Sequence, residues 1–253
     1  MFRIEIFGTG SSGNCALVSD GKTNILIDCG VRLENVKKSV MIADIAAVLL
    51  SHSHGDHTKH LKPLTGRYAK NIYATEGTFR ALGKEYVPSA YRRIVRYGEP
   101  FTTGSLRIMP FPLSHDAAEP CGFYIKNEIG ETLVFASDTG TMEHLELEAD
   151  GYVIEANYDE VEIERRLESG EMPYEGLHGR LTSELGHLSV QQTAAWLKQN
   201  AKPDSHIILL SPHAEVLENN KGLFGVNEKD GFGNIAMPLQ FPFKYEFGAK
   251  CPF

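Results

Sequence analysis

Four side chains of metal-binding type occupy six consecutive positions in the segment HSHGDH, directly after the apolar run Ala46–Ser51. They are His52, His54, Asp56 and His57. The apolar run predicts a strand buried on both faces, and a strand end is a rigid place from which to bind an ion. His52 and His54 project to the same side of extended backbone, whereas Asp56 and His57 turn towards a second position. The spacing therefore predicts a metal centre, because a polar surface loop rarely concentrates ligands in this way.

Four ligands cannot complete two metal shells, so further ligands are expected where later predicted strands end. Three candidates follow such strands: His115, Asp138 and His213. An aspartate between two cations can bridge them with its two oxygens, which is the natural use of Asp138. Imidazole together with carboxylate favours zinc, with manganese or iron as alternatives, and disfavours calcium, which needs more oxygen ligands. We therefore expect two divalent metal ions as cofactors.

Composition places the chain among ordinary globular proteins. It has 253 residues, of which 42% are hydrophobic, and a formal net charge of −8. No apolar stretch approaches the roughly 18 residues that span a membrane, and no signal peptide is recognisable, so a cytoplasmic protein is predicted. The four cysteines form no CxxC pair, which fits reduced thiols. The acidic balance argues against nucleic-acid binding over the whole surface, but not against a local basic groove.

Strand and helix patterns alternate along the chain and predict two mixed sheets with helices outside, in one α/β domain over residues 1–253. The predicted helices include Val31–Val40, Thr58–Ala69, Asp159–Glu168 and Val190–Asn200. The last of them begins at a capping box, because Ser189 and Gln192 have the required spacing.

The order of these motifs resembles the metallo-β-lactamase fold superfamily over nearly the whole chain. HSHGDH is followed by His115, by SDTG at Asp138 and by a late histidine after a strand. GSSGN, ILIDCG, EANYD, GHLS and LLSPH make the chain most similar to the WalJ/YycJ-type branch. That branch comprises small bacterial proteins that are related to ribonuclease Z and implicated as 5′-to-3′ DNA exonucleases. The resemblance implies a four-layer αββα sandwich.

The resemblance also implies a role for each candidate ligand. It places His52, His54 and His115 on the first metal, Asp56, His57 and His213 on the second, and Asp138 between them. Asp28, at the end of ILID, matches a supporting aspartate that hydrogen-bonds near the metals without binding them directly. The alternative for Asp28 is an ordinary strand-end residue that opens a turn.

GHLS and EAN contain a further pair, His187 and Glu155. In the ribonuclease Z relatives, a histidine and a glutamate at comparable places act together, and the histidine protonates the leaving oxygen. An imidazole held by a carboxylate has a pKa that can supply a proton near neutrality. The alternative is that His187 is a structural histidine at the start of a helix.

These parts predict a binuclear metal-dependent phosphodiesterase whose nucleophile is a hydroxide bridging the metals. The resemblance implies that its activity is that of a 5′-to-3′ DNA exonuclease. Its catalytic residues would be His187, Glu155 and Asp56. The backbone amides of a glycine-serine loop could cradle a substrate phosphate as an anion nest. That loop consists of Ser11, Ser12, Gly13 and Asn14. The alternatives are a small-molecule cyclic phosphodiesterase, a lactone or thioester hydrolase of the same fold, and a non-catalytic metal-binding protein.

Two features depart from the WalJ/YycJ pattern. Tyr158 stands in EANYD where the pattern has a histidine, and the asparagines after His213 are displaced in AEVLENN. Both departures bear on the substrate rather than on the metals. A basic and aromatic segment, Tyr91–Tyr97, offers a path for nucleic acid only if its arginines share a face, which alternation along a strand opposes.

Overall fold

The structure is a computed structural model that describes residues 1–171, 182–210, 216, 219–224, 234–236 and 241–248. Within these residues the strands form two mixed seven-stranded sheets. The strands are β1 (Phe2–Gly8), β2 (Cys15–Ser19), β3 (Asn24–Ile27), β4 (Ile45–Leu49), β5 (Ile72–Ala74), β6 (Arg92–Ile94), β7 (Phe101–Thr103), β8 (Leu106–Pro112), β9 (Cys121–Lys126), β10 (Thr132–Ala136), β11 (Gly151–Glu155), β12 (His206–Leu210), β13 (Asn234–Ala236) and β14 (Phe243–Phe247). The first sheet has the order β14-β1-β2-β3-β4-β5-β6, and the second has the order β13-β12-β11-β10-β9-β8-β7.

The α-helices that connect these strands are mostly short. They include α1 (Leu33–Val36), α2 (Gly55–Thr58), α3 (Lys62–Gly66), α4 (Glu76–Leu82), α5 (Glu160–Glu168) and α6 (Val190–Asn200). None of the helices that the structure describes has the length and apolar character that a membrane crossing requires.

Contacts divide the chain into two compact units. The first unit holds Met1–Pro112, Ala117–Thr132 and the last strand, and the second holds Leu113–Asp116 and the described residues from Leu133 to Ala236. A single domain over residues 1–253 stays a prediction. Each unit contains parallel strands whose ends carry candidate site residues.

In the first unit, β3, β4, β5 and β6 are parallel neighbours. All of β4 is buried except Ala46, as a continuous apolar run predicts for a strand covered on both faces. Ile27 at the end of β3 pairs with Leu49 at the end of β4. Because parallel strands end at the same edge of a sheet, Asp28 and the HSHGDH segment start side by side.

In the second unit, β10, β11, β12 and β13 are parallel neighbours. Every residue of β11 is buried. Ala136 at the end of β10 pairs with Ile154 in β11. Asp138 and Glu155 therefore follow or close adjacent strands at one edge of the sheet.

Three helix predictions are confirmed closely, among them a helix near Glu76–Leu82, which is α4, and two are not. The predicted helix Val190–Asn200 is α6, and the capping box of Ser189 is present. The predicted helix Asp159–Glu168 is α5, whose N-cap is Asp159. The predicted helix Val31–Val40 shortens to the single turn α1, Leu33–Val36.

The predicted helix Thr58–Ala69 is wrong, because the chain forms turns and one short helix there. The helix α2 ends at Thr58, and α3 runs over Lys62–Gly66 with a proline in its first turn. Pro63 lacks a backbone N–H, and its ring clashes with the preceding turn, so one helix cannot continue through it. The break leaves Asp56 and His57 on a short turn directly after the strand.

Replacing Ser189 by alanine should lower the free energy of unfolding by about 1–2 kcal/mol, since an N-cap is lost at a buried site. The Ser189 hydroxyl is fully buried, lies 3.0 Å from the Gln192 amide and donates to Glu160 at 2.5 Å. Urea denaturation of both proteins measures the difference. Ser169→Ala, an exposed serine at the end of α5, is the matched control, and an equal change in both variants would contradict the expectation.

Candidate active site

The first cluster of ligand-type side chains lies in the first unit, directly after β4. His52 and His57 are almost fully buried, and their ring centroids are 4.0 Å apart. The ring of His54 lies 4.6 Å from that of His52, nearly perpendicular to it. Asp56 sits in the first turn of α2, with 28% of its side chain exposed. The strand end and the short turn thus bring the HSHGDH side chains together.

Asp28 determines which nitrogen of His57 carries the proton. Its Oδ2 lies 2.7 Å from Nδ1 of His57, and because an ionised carboxylate only accepts, Nδ1 is the donor. The lone pair is then on Nε2, as in carboxylate–histidine–metal arrangements. Asp28 also accepts the N–H of Ser51 at 2.9 Å and the Ser51 hydroxyl at 2.8 Å.

Asp28 and Asp138 share an uncommon backbone conformation. Their φ angles are 59° and 37°, in the left-handed region that few residues other than glycine adopt. Aspartate tolerates this region better than most side chains, and such conformations concentrate at functional sites. In each case the turn follows directly on a buried parallel strand, β3 for Asp28 and β10 for Asp138.

The side chain of Asn14 contacts this cluster, which the sequence did not indicate. Its Nδ2 lies 3.1 Å from Oδ2 of Asp56 and 2.8 Å from Nε2 of His57. Since both of these atoms accept, the amide group of Asn14 donates to two candidate ligands. Gly30 makes the approach possible, because a Cβ there would lie 1.5 Å from the carbonyl oxygen of Asp56.

The loop predicted as a phosphate nest has two of its four amides already engaged. The N–H of Gly13 donates to Gly10 at 2.9 Å, and the N–H of Asn14 donates to the carbonyl of Asp56 at 2.8 Å. The amides of Ser11 and Ser12 have no hydrogen-bond partner among the described residues. Of the four amides predicted to bind a phosphate, those of Ser11 and Ser12 therefore remain available, and both residues are exposed.

The second cluster lies in the second unit and consists of His115, Asp138 and His187. One ligand atom from each lies within 4.8 Å of the others. Nδ1 of His115 is 3.0 Å from the Gly186 carbonyl, so it carries the proton, and Nε2 lies 3.8 Å from Oδ2 of Asp138. Burial lowers the pKa of His115, although the charge of Asp138 opposes the shift. A neutral imidazole with its lone pair on Nε2 is the form that binds metals.

His187 and Glu155 form the predicted pair. Nδ1 of His187 lies 2.9 Å from Oε2 of Glu155, which is almost fully buried. The N–H of Thr139 donates to the other carboxylate oxygen, and the Thr193 hydroxyl donates to the Glu155 carbonyl at 2.7 Å. The carboxylate is therefore held from both sides, and it orients the imidazole.

The charge state of His187 suits a proton donor. Burial alone would lower its pKa, but the hydrogen bond and charge of Glu155, with the charges of Asp138 and Asp116, raise it to about 9. Burial raises the pKa of Glu155, and the hydrogen bond and charge of His187 offset part of that rise. Since Nδ1 donates to Glu155, the proton available for transfer is on Nε2 of His187, whose ring centroid is 5.2 Å from that of His115.

Three further residues bear on the predicted site: His213, Tyr158 and Asp116. His213 lies outside the described residues. Tyr158 is buried and packs with Ile163 and Leu167. Asp116, which no sequence motif singled out although it directly follows His115, has Oδ1 3.3 Å from Nε2 of His115.

The donor set of each cluster fits a divalent transition metal. The first cluster combines three imidazoles with the carboxylate of Asp56, and His115 and Asp138 of the second cluster add one imidazole and one carboxylate. The hydrogen bonds to Nδ1 leave the lone pairs of His57 and His115 on Nε2, and that of His57 accepts from Asn14 at 2.8 Å. Zinc, manganese and iron accept such ligands, whereas calcium requires more oxygen. The residues therefore fit the predicted cofactor class.

Comparisons with known proteins agree with this chemistry. The model of the beta-lactamase superfamily domain matches residues 23–208. Exodeoxyribonuclease WalJ of Streptococcus pneumoniae serotype 2 is 36% identical over 210 residues, which cover 76% of this chain and 74% of that protein. Exodeoxyribonuclease YycJ of Bacillus anthracis is 28% identical over 247 residues, which cover 91% of each chain.

Among solved structures, the metallo-beta-lactamase fold protein YhfI from Bacillus subtilis superimposes with a TM-score of 0.74 at 19% identity. The match covers 97% of this chain and 100% of that one. The predicted fold class, an α/β protein of the metallo-β-lactamase type, is thereby confirmed. The prediction of a metal-dependent hydrolase is confirmed with it. The chain belongs to the metallo-β-lactamase superfamily.

Proposed function

We propose that this protein is a binuclear metal-dependent phosphodiesterase that digests DNA as a 5′-to-3′ exonuclease. The observation that carries the proposal is the His187–Glu155 pair, at 2.9 Å and with the pKa of His187 raised to about 9. Expelling an alkoxide from a phosphodiester requires a proton, and a protonated imidazole can supply it. The 36% identity with a protein named as an exodeoxyribonuclease supports DNA as the substrate.

The proposed cofactors are two divalent ions, zinc first, with manganese or iron as alternatives. The ligand assignment is the one that the resemblance implies: His52, His54 and His115 for the first ion, Asp56, His57 and His213 for the second, and Asp138 for both. Ions bound there would supply a nucleophile at neutral pH and neutralise charge on the phosphodiester. The fixed tautomers of His57 and His115 support this assignment.

The side chains around the ligands have separate tasks in the proposed reaction. His187 gives its Nε2 proton to the leaving oxygen, and Glu155 stabilises the imidazolium through Nδ1. Asp28 keeps the proton of His57 on Nδ1, away from the metal side. The amides of Ser11 and Ser12 contact a substrate phosphate.

A cytoplasmic location belongs to the same proposal. Cys15, Cys29 and Cys121 are buried free thiols. Thiols persist in reducing compartments, which in bacteria also hold the chromosome.

A side-by-side assay of the metal-loaded protein tests the proposed function. The substrates are 5′-phosphorylated duplex DNA, bis(p-nitrophenyl) phosphate, a cyclic nucleotide, a lactone and a thioester. We expect turnover of DNA that a chelator abolishes and added zinc or manganese restores. A strand labelled at its 5′ end should release labelled mononucleotide at once, whereas a strand labelled at its 3′ end should shorten gradually.

The control for this assay is His52→Ala, purified in the same way, which excludes a contaminating nuclease. Activity confined to the lactone and the thioester would overturn the phosphodiesterase proposal. Activity confined to the cyclic nucleotide would replace DNA by a small phosphodiester.

A further inference from the structure

Lys59 places an ammonium group at the edge of the first cluster. Its backbone N–H donates to Gly55 at 2.8 Å, so Lys59 lies one helical turn after Gly55 and three residues after Asp56, on the same side of that turn. Nζ of Lys59 lies 2.6 Å from the carbonyl oxygen of Ser12. The loop that contains Ser12 also contains Asn14, which donates to Asp56. One loop therefore connects the ammonium group to a candidate metal ligand.

The positive charge of Lys59 has no carboxylate within ion-pair distance in the part of the chain that the structure describes. Arg32, also exposed, is a second cation whose charge acts on the same neighbour, His60. Burial lowers the pKa of His60, and the charges of Lys59 and Arg32 lower it further, against a smaller opposing effect of Glu34. Two cations, Lys59 and Arg32, therefore lie close enough to His60 to affect it, in a chain whose net charge is −8.

Two backbone donors lie beside this charge. The amides of Ser11 and Ser12 belong to exposed residues and make no hydrogen bond within the described ranges. Successive backbone amides next to a cation are a common way to bind a phosphate group. An ammonium group that now contacts only a carbonyl can turn to a phosphate at little cost, because its contact is exposed to solvent.

The arginine segment that the sequence offered as a nucleic-acid path is less suited to this task. Arg92 donates through Nε to Val87 at 2.8 Å and through Nη2 to Gly83 at 2.5 Å. Arg96 lies 3.6 Å from the carboxylate of Glu99. Arg93 donates through Nη1 to the carbonyls of Ala90 and Arg92 at 3.0 and 2.8 Å. The three guanidinium groups are therefore engaged by residues close to them in the chain, whereas Lys59 contacts the loop of Ser12.

We propose that Lys59, with the amides of Ser11 and Ser12, binds a second phosphate of the nucleic-acid strand, next to the phosphodiester that is cleaved. The inference rests on the proposed function and specifies its substrate, since a small diester has no second phosphate. The group bound is either the 5′-terminal phosphate or a phosphate within the strand, which present the same oxygens. Lys59 is accordingly a substrate-binding residue that acts before the chemical step.

Three variants test this subsite by steady-state kinetics: Lys59→Gln, Lys59→Arg and Lys126→Gln. Lys126 is the control, an exposed lysine at the last position of β9. The first residue of that strand, Cys121, donates to Ser51 next to the first cluster, so Lys126 lies at the end of the strand away from the cluster. In Lys59→Gln, the ratio of kcat/KM on DNA to kcat/KM on bis(p-nitrophenyl) phosphate should fall about tenfold, through KM, because one charge-assisted hydrogen bond is lost. Lys59→Arg should keep most of the ratio, and Lys126→Gln should match the wild type. An unchanged ratio in Lys59→Gln overturns the inference.

Equilibrium binding provides a readout that does not depend on turnover. Fluorescence anisotropy with a fluorescein-labelled phosphorothioate strand, over a range of salt concentrations, measures the affinity of the metal-loaded protein. For Lys59→Gln, the slope of log K against log salt should become less steep by about 1. A loss on 5′-phosphorylated strands alone identifies the terminal phosphate, and a loss on 5′-hydroxyl strands as well identifies an internal one. Wild-type affinity and slope would overturn the inference.

The two proposals fail in different ways. If the wild type cleaves DNA and Lys59→Gln cleaves and binds it equally well, the subsite is wrong and the proposed function stands. If the wild type cleaves no phosphodiester, the proposed function is wrong, and the binding experiment still decides whether Lys59 holds a phosphate.

Discussion

Replacing His187 by alanine should lower kcat on DNA by about 10²–10⁴-fold, the usual contribution of a positioned general acid, while two equivalents of metal stay bound. The reason is that His187 is held by a buried carboxylate, Glu155, through Nδ1 and keeps its other nitrogen for the substrate. Elemental analysis of the purified variant gives the metal content, and single-turnover kinetics give the rate. His144→Ala is the matched control, because His144 is an exposed histidine of the same unit.

Loss of metal from the His187→Ala variant, the opposite outcome, would also have a geometric explanation. His187 offers a ligand atom within 4.8 Å of ligand atoms of His115 and Asp138. Loss of one metal equivalent in His187→Ala would therefore show that His187 is a ligand, and the proton-donor assignment would be wrong. Normal metal content with unchanged kcat would return His187 to the structural role that its place at a helix start also allows.

The pH dependence of kcat should also show that His187 acts as a general acid. A general acid must be protonated, so kcat should fall as pH rises through the pKa of His187, which its surroundings raise to about 9. Glu155 contributes through both a hydrogen bond and its charge. In Glu155→Gln the alkaline limb of the profile should therefore move to lower pH. An unmoved limb would show that another group titrates there.

Local sequence patterns were sufficient to predict those parts of the structure that depend on residues close together in the chain. The apolar run Ala46–Ser51 predicted a strand buried on both faces, and β4 (Ile45–Leu49) is buried at every residue except Ala46. Ser189 and Gln192 specified a capping box, and α6 begins with it. The superfamily resemblance then supplied the fold, because HSHGDH and the strand-end residues occur in a fixed order.

Contacts between distant parts of the chain could not be predicted from such local patterns. The hydrogen bond from Asn14 to Asp56 connects residues 42 positions apart, and it depends on how closely Gly30 lets two loops approach. Nothing in the local pattern of GSSGN distinguishes a side chain that holds ligands from an amide that binds phosphate. The failed helix Thr58–Ala69 is different, since Pro63 was a local signal against it.

Replacing Asp28 by alanine should weaken zinc binding by about 10–100-fold, as is typical when the partner of a metal-binding histidine is removed. Without Asp28, Nδ1 of His57 loses its 2.7 Å acceptor, and the proton is no longer confined to the side away from the metal. The variant should also lose about 2–4 kcal/mol of unfolding free energy, because buried donors of Ser51 and His57 are left without their acceptor. Competition with a chelator measures the zinc affinity, and urea denaturation in EDTA measures the stability of the metal-free protein.

Asp28→Asn separates the two effects of that substitution. Asparagine tolerates the φ of 59° at this position about as well as aspartate, whereas alanine there adds roughly 1–2 kcal/mol of backbone strain. The asparagine variant should therefore recover part of the stability but not the zinc affinity, since a neutral amide holds the His57 proton less firmly than a carboxylate does. Asp44→Ala, at an exposed aspartate of the same unit, should change neither property. Wild-type zinc affinity in a folded Asp28→Asn protein would limit Asp28 to the strand-end turn and remove it from the metal centre.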